Sequence, residues 1–207
     1  MDWQNIFAFT KGGTREGSKG ALSELSSDPL DSSLFVQLGG KYRAATLAGR
    51  MFSGCNTAVK TTVAGVTAAA WTGLGVANPT GSGIKIIIHE FNFAQWKIVT
   101  AGGILALATT TDAGFAYAII PRNRMFGGPP SKAMLDDGAT LTTAGVTEQH
   151  ICSITTGAAT VGSSPMIGNF DLHGSLVLLP GRSVITNTDA IQTSIFSFGF
   201  LWEEIPI

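Results

Sequence analysis

The closing stretch Ile195-Phe196-Ser197-Phe198-Gly199-Phe200-Leu201-Trp202-Glu203-Glu204 decides the fold. Every second residue from Phe196 to Trp202 is aromatic, and Ile195, Ser197, Gly199 and Leu201 fall between them. Successive side chains on a strand point to opposite faces, so this pattern puts four rings on one face. A helix would scatter the same rings around its axis. The segment therefore predicts a β-strand with one aromatic, buried face.

Upstream, Leu179-Pro180-Gly181-Arg182 predicts a type II turn, with Pro fixing φ and Gly taking φ > 0. It would join strands at 175–179 and 183–187 as a hairpin. Further strands are expected near 42–53, 57–67, 84–93, 103–109, 114–120, 150–156, 167–173 and 191–203. In 84–93, Ile86, Ile88 and Glu90 would share one face, and Lys85, Ile87, His89, Phe91 and Phe93 the other. No stretch holds a 3.6-residue period over about 12 residues. Ala68-Ala69-Ala70-Trp71 is the best helical fragment, and it runs straight into Thr72-Gly73. Short strands between Gly and Pro turns predict an all-β chain: a β-sandwich of jelly-roll type, with a short irregular or helical N-terminal arm.

Composition narrows the function. Of 207 residues, 13% are charged and the net charge is -1, where an ordinary soluble domain has about 25% charged residues. There are 26 glycines, and hydrophobic residues reach 44%. Such apolar content with so little net charge excludes a disordered chain. The lack of a cationic excess excludes a nucleic-acid binder that works through a basic surface. A surface this poor in charge points to coverage by identical neighbours, hence a homo-oligomer. Apolar runs such as Gly103–Ala108 fall far short of the ~20 residues of a membrane span, so no membrane partner is expected. Met1-Asp2-Trp3-Gln4-Asn5 lacks a cationic leader region, so synthesis in the cytoplasm is expected. Cys55 and Cys152 are far apart in sequence and are expected as free, buried thiols.

Residues 1–35 read as an arm and 36–207 as the sandwich domain. The arm opens with Trp3, Ile6, Phe7 and Phe9, then a mildly basic stretch holding Lys11, Arg15 and Lys19. Four large apolar side chains are seldom left together in water, so the arm is expected to land on a partner. The long, Pro- and Gly-punctuated segment 121–149 is the second exposed candidate. Its cationic start, Arg122 and Arg124, suits a polar contact between subunits. The candidate contact residues are thus Trp3, Phe7, Phe9, Lys11, Arg15, Lys19, Arg122 and Arg124.

Chemistry-bearing motifs are weak. Gly12 to Gly17 has phosphate-loop spacing, but Gly17-Ser18-Lys19-Gly20 replaces the required Gly-Lys-Ser/Thr, and Pro29 interrupts any following helix. Glu148/His150 and Asp171/His173 each stand at i, i+2 and would share a strand face, yet a third metal ligand is missing from the pattern. No Gly-x-Ser-x-Gly occurs. Glu203 and Glu204 are adjacent and would point to opposite faces, which does not make an acid/base dyad. No catalytic, metal or cofactor residue is expected.

Two stretches carry a resemblance. One is Trp71-Thr72-Gly73-Leu74-Gly75-Val76-Ala77-Asn78-Pro79, followed by Gly81-Ser82-Gly83 and the apolar Ile84–Ile88. The other is Leu178-Leu179-Pro180-Gly181-Arg182, then Gln192–Ile195 and the closing Phe200-Leu201-Trp202-Glu203-Glu204-Ile205-Pro206. Over roughly residues 40–206 the chain resembles small structural proteins of tailed-phage virions. The resemblance implies a β-sandwich, often trimeric, on the outside of the head as a cement or decoration protein. It implies the major capsid protein and further copies of the chain as partners, the capsid surface as location, and no enzymatic activity. A tail-associated adsorption or adaptor protein and a lectin- or cupin-like binding domain stand as alternatives.

Overall fold

Two antiparallel sheets pack against each other across the aromatic ladder of the last strand. A computed structural model describes residues 41–62, 70–97, 103–111, 115–116, 118–154, 166–189 and 195–207. The chain divides between Ala48 and Gly49 into two units. Of the first, the described part holds one short helix, α1 (Arg43–Leu47). The expected arm, residues 1–35, lies outside the described residues.

The second unit holds the strands β1 (Met51–Cys55), β2 (Lys60–Thr61), β3 (Ala70–Asn78), β4 (Ile84–Lys97), β5 (Gly103–Thr110), β6 (Arg122–Asn123), β7 (Met134–Thr140), β8 (Val146–Ile154), β9 (Ile167–Leu178), β10 (Arg182–Thr188) and β11 (Ile195–Pro206). One sheet has the order β6-β1-β11-β4-β9, with β2 also pairing β11; the other has β7-β3-β10-β5-β8. The winding follows from the pairs. Strands β1, β3, β4 and β5 pair antiparallel with β11, β10, β9 and β8 respectively. The chain is therefore a long hairpin rolled so that alternate rungs enter opposite sheets. That is the jelly-roll-like form of the β-sandwich.

The interior is what the closing stretch predicted. Phe196, Phe198, Phe200 and Trp202 are all buried and share the core with Phe91, Phe93, Ile86, Ile88, Leu105, Leu107 and Val184. Rings of Phe196 and Phe198 stack at 5.4 Å, and Phe91 meets Phe200 at 5.0 Å. Burying each such side chain stabilises by about 2–3 kcal/mol. A second apolar cluster lies on the outer face of the five-stranded sheet: Trp71, Ala77, Ala108 and Ile185, covered by Phe115 and Leu141. Strand β10 is consequently buried on both faces.

Several expectations change. The 42–53 strand is instead α1 followed by β1, and the helical fragment at Ala70-Trp71 opens β3, where Trp71 Nε1 donates to the Thr186 carbonyl at 2.8 Å. Among the described part of 114–120 there is only an isolated bridge, Ile119 to Leu135. The face assignment in β4 also fails beyond Ile88. The ladder to β11 slips there, with Trp202 opposite Ile88 but Leu201 opposite Glu90. His89 is the extra residue of a β-bulge, so Phe91 and Phe93 point inward with Ile86 and Ile88 rather than away from them.

The two strands expected at 167–173 and 175–179 are one strand, β9, bent where His173 (φ 49) and Gly174 (φ 71) are left-handed. Asp171 Oδ1 accepts the His173 N–H at 2.9 Å and holds the bend. The predicted type II turn is present: Arg182 N–H donates to the Leu179 carbonyl at 3.1 Å, with Gly181 at φ 81.

Candidate functional site

The outer face of the six-stranded sheet is the surface on which exposed polar groups converge. Its register gives two rows. One runs Arg122, Ser53, Leu201, Glu90, Asp171 across β6, β1, β11, β4 and β9. The next runs Cys55, Gly199, Asn92, Asn169. Small side chains leave a groove of about 600 Å³ near the β6 end, lined by Ser53, Cys55, Thr57, Asn92, Arg122 and Arg124, with Ile119 and Ile120 along one side. Among the described residues, no carboxylate pairs with Arg122 or Arg124.

The two arginines are held by a loop at 121–130. Arg124 N–H donates to the Met51 carbonyl at 2.8 Å, which carries the β6 ladder one step further. Asn123 is the anchor. Its Nδ2 donates to the carbonyls of Gly49 (2.9 Å) and Pro129 (2.8 Å), and its Oδ1 accepts the Met125 N–H at 2.8 Å. A turn closes the tip, with Gly128 N–H bonded to the Met125 carbonyl at 2.8 Å and Gly127 at φ 81. A side chain at residue 127 would strain that conformation. Phe126 stands at this tip, exposed to water. A rigid turn that displays an unburied ring is a contact surface prepared in advance.

The pair Glu203-Glu204 divides as the alternation predicts. Glu203 faces outward, where Arg50 Nε donates to its Oε1 at 2.9 Å and His89 Nε2 lies 3.5 Å from its Oε2. Burial alone would push the Glu203 carboxyl up; the His89 and Arg50 hydrogen bonds and charges outweigh it and hold the group below its ordinary value. Glu204 faces inward and is buried. It accepts the N–H groups of Lys132 (3.0 Å) and Ala133 (3.3 Å), the Trp202 Nε1–H (3.3 Å) and the Ser131 hydroxyl. This carboxylate fixes the strap that carries the chain from the 121–130 loop into β7.

The other candidates separate. His150 is exposed on β8. His173 Nδ1 lies 3.2 Å from Asp171 Oδ1 on the β9 bend. Among the described residues no three His, Cys, Asp or Glu side chains come together as a metal site. Both cysteines are free; Cys152 is half-buried, but Cys55 is exposed on the outer face, against expectation. It follows the buried Phe52 at i+3, and so turns outward. Of the predicted contact residues, Arg122 and Arg124 share the groove, while Trp3, Phe7, Phe9, Lys11, Arg15 and Lys19 lie outside the described residues, as does Gly12–Lys19. Sequence reasoning missed Phe126, Asn123 and Glu204 as a set. The Pro- and Gly-rich spacing marked the loop but not which residue it displays. The chain matches no protein-family model, no curated protein and no solved structure.

Proposed function

We propose that this chain is a virion structural protein: a jelly-roll decoration subunit that binds the major capsid protein on the outside of a phage head, associates with itself as a homotrimer and catalyses nothing. One observation carries this reading over a cupin-like one. The space between the sheets, where a ligand-binding jelly roll holds a small molecule or metal, is filled by Phe91, Phe196, Phe198, Phe200 and Trp202. Recognition then falls to the outer surface, and the braced Phe126 loop is the part prepared for it. The location on a phage head rests on the resemblance of Trp71–Ile88 and Leu178–Pro206 and on the analogy that jelly rolls recur in viral shells. A shell gains stability from a subunit that bridges neighbouring coat proteins, which requires buried area and symmetry rather than chemistry.

The test is localisation. Particles purified from the source are labelled with a gold-tagged antibody to this chain and viewed by electron microscopy. Regular label over the head is the expected result. Label confined to the tail would replace the reading with a tail-adsorption role, and intact particles without label would remove both.

A further inference from the structure

The six-stranded sheet ends in opposite charges. At its β6 end stand Arg122 and Arg124, with Ile120 74% and Phe126 99% exposed beside them. At the β4–β9 end Glu90 and Asp171 face outward; further along the same two strands, roughly 20 Å from Glu90 and roughly 13 Å from Asp171 at the usual rise per residue, Trp96 is 68% and Ile167 76% exposed. Each end therefore carries two charges of one sign, and the same strands and loop also present two unburied apolar side chains. Four inter-strand steps separate Arg122 from Asp171 along their shared row, roughly 19 Å at the usual strand spacing. That exceeds the screening length of about 8 Å at physiological salt, so the two ends do not neutralise each other within one subunit.

We propose that these two ends bind each other between copies of this chain, the Arg122/Arg124 end of one subunit seating on the Glu90/Asp171 end of the next. The inference rests on the self-assembly part of the function proposed above and names its contact. Pairing like ends would set arginines against arginines, so the contact is heterologous, and such contacts close into a ring when the rotation permits. Ile120 and Phe126 meeting Trp96 and Ile167 supply an apolar contact to one side of the charges, and the charges supply register and exclude the reversed pairing. His173 Nδ1 shares Asp171 within the subunit at 3.2 Å, so Glu90 carries the acidic end together with it.

The experiment is sedimentation of the full chain by analytical ultracentrifugation. The unaltered protein is expected as an oligomer. R122E/R124E and E90K/D171K are each expected to sediment as monomers, with at least a tenfold weaker association. The combined variant R122E/R124E/E90K/D171K restores complementarity and is expected to recover the oligomer. Circular dichroism melts check that each variant is folded; if a reversal variant unfolds, F126S and I167S, both at exposed positions, test the same two ends. A monomeric unaltered protein would remove the self-assembly reading and this contact together. An oligomer whose mass survives the substitutions at both ends would overturn the contact alone.

Discussion

Asn78 and Leu178 stand 100 residues apart in sequence, and the Asn78 side-chain amide donates to the Leu178 carbonyl at 2.9 Å. The same nitrogen donates to the Ile84 carbonyl at 2.8 Å, the Ser82 hydroxyl donates to Asn78 Oδ1 at 2.6 Å, and Gly181 N–H donates to the Asn78 carbonyl at 2.8 Å. One buried amide thus ties the β3–β4 turn to the β9–β10 turn and fixes where strands of opposite sheets meet. Asn78→Ala keeps the backbone bond but removes the side-chain donor to the carbonyls of Ile84 and Leu178 in a buried site. The expected loss is about 2–3 kcal/mol of unfolding free energy, read by urea denaturation. A change below about 0.5 kcal/mol would show that the tie is incidental.

Glu204 supports a sharper contrast with its neighbour. Four donors converge on its carboxylate, and Glu204→Gln would turn an N–H₂ group toward N–H and O–H donors. A cost on the order of 3 kcal/mol is expected, because bonds to a charged acceptor are the stronger kind and one donor is left facing another. Hydrogen exchange checks the location: the amides of Lys132 and Ala133 should lose protection first. Unchanged exchange at those two amides would contradict the role given to Glu204.

For Glu203 the expectation is a pH dependence. Its carboxyl is held below 4.5 in the folded protein. A lowered folded value means that ionised Glu203 adds stability above the unfolded value near pH 4.5, and that this is lost as pH falls through the folded value. Glu203→Gln should therefore be less stable than the unaltered protein at pH 7, with the gap closing below about pH 4.5. Urea midpoints across that range measure it, and a gap independent of pH would assign the effect to packing.

Phe126 separates binding from folding. The ring is exposed, so Phe126→Ala should leave unfolding free energy within about 0.5 kcal/mol of the unaltered value. Self-association should weaken several-fold by analytical ultracentrifugation, because the proposed contact between copies covers this ring. Gly127→Val is the companion change: it disturbs the φ 81 conformation behind the ring and should weaken self-association with Phe126 still present.

What the sequence disclosed follows from how cleanly each face alternates. In β11 one face is aromatic and the other is not, so four residues sufficed to orient the strand. In β10 and β3 both faces are buried, one against the core and one under Phe115 and Leu141, and buried polar residues such as Ser183, Thr186, Asn187 and Thr188 break any apolar/polar alternation. Ala70-Trp71 reads as a helical fragment for another reason: it closes the alanine run Ala68-Ala69-Ala70, and alanine favours helix, although the pair begins a strand. The β4 faces were misread for a different reason: one bulge residue, His89, reverses the phase of everything after it, and a backbone slip leaves no mark in residue types. The candidate surface was half legible. Pro and Gly spacing marked the 121–130 loop, but the Asn123 bonds that aim Phe126 join Gly49, Met125 and Pro129 in ways no spacing rule encodes.

The two thiols give the last prediction. Burial pushes the Cys152 thiol up from 9.0 to about 11, whereas Cys55 is exposed in the groove beside Arg122 and Arg124. The thiolate is the reacting species, and a rise of two pH units leaves roughly a hundredfold less of it at a given pH. Iodoacetamide at pH 8 should therefore label Cys55 well before Cys152, as followed by peptide mass spectrometry, and Cys55→Ser should abolish the fast phase. Because Cys55 sits at the arginine end, its labelling also reports whether that end is covered. Dilution or high salt, which releases a charge-registered contact, should accelerate it, while Cys152 stays slow throughout. Equal rates at the two cysteines would overturn the burial argument, and a Cys55 rate that ignores salt and concentration would count against coverage of the groove by a second copy.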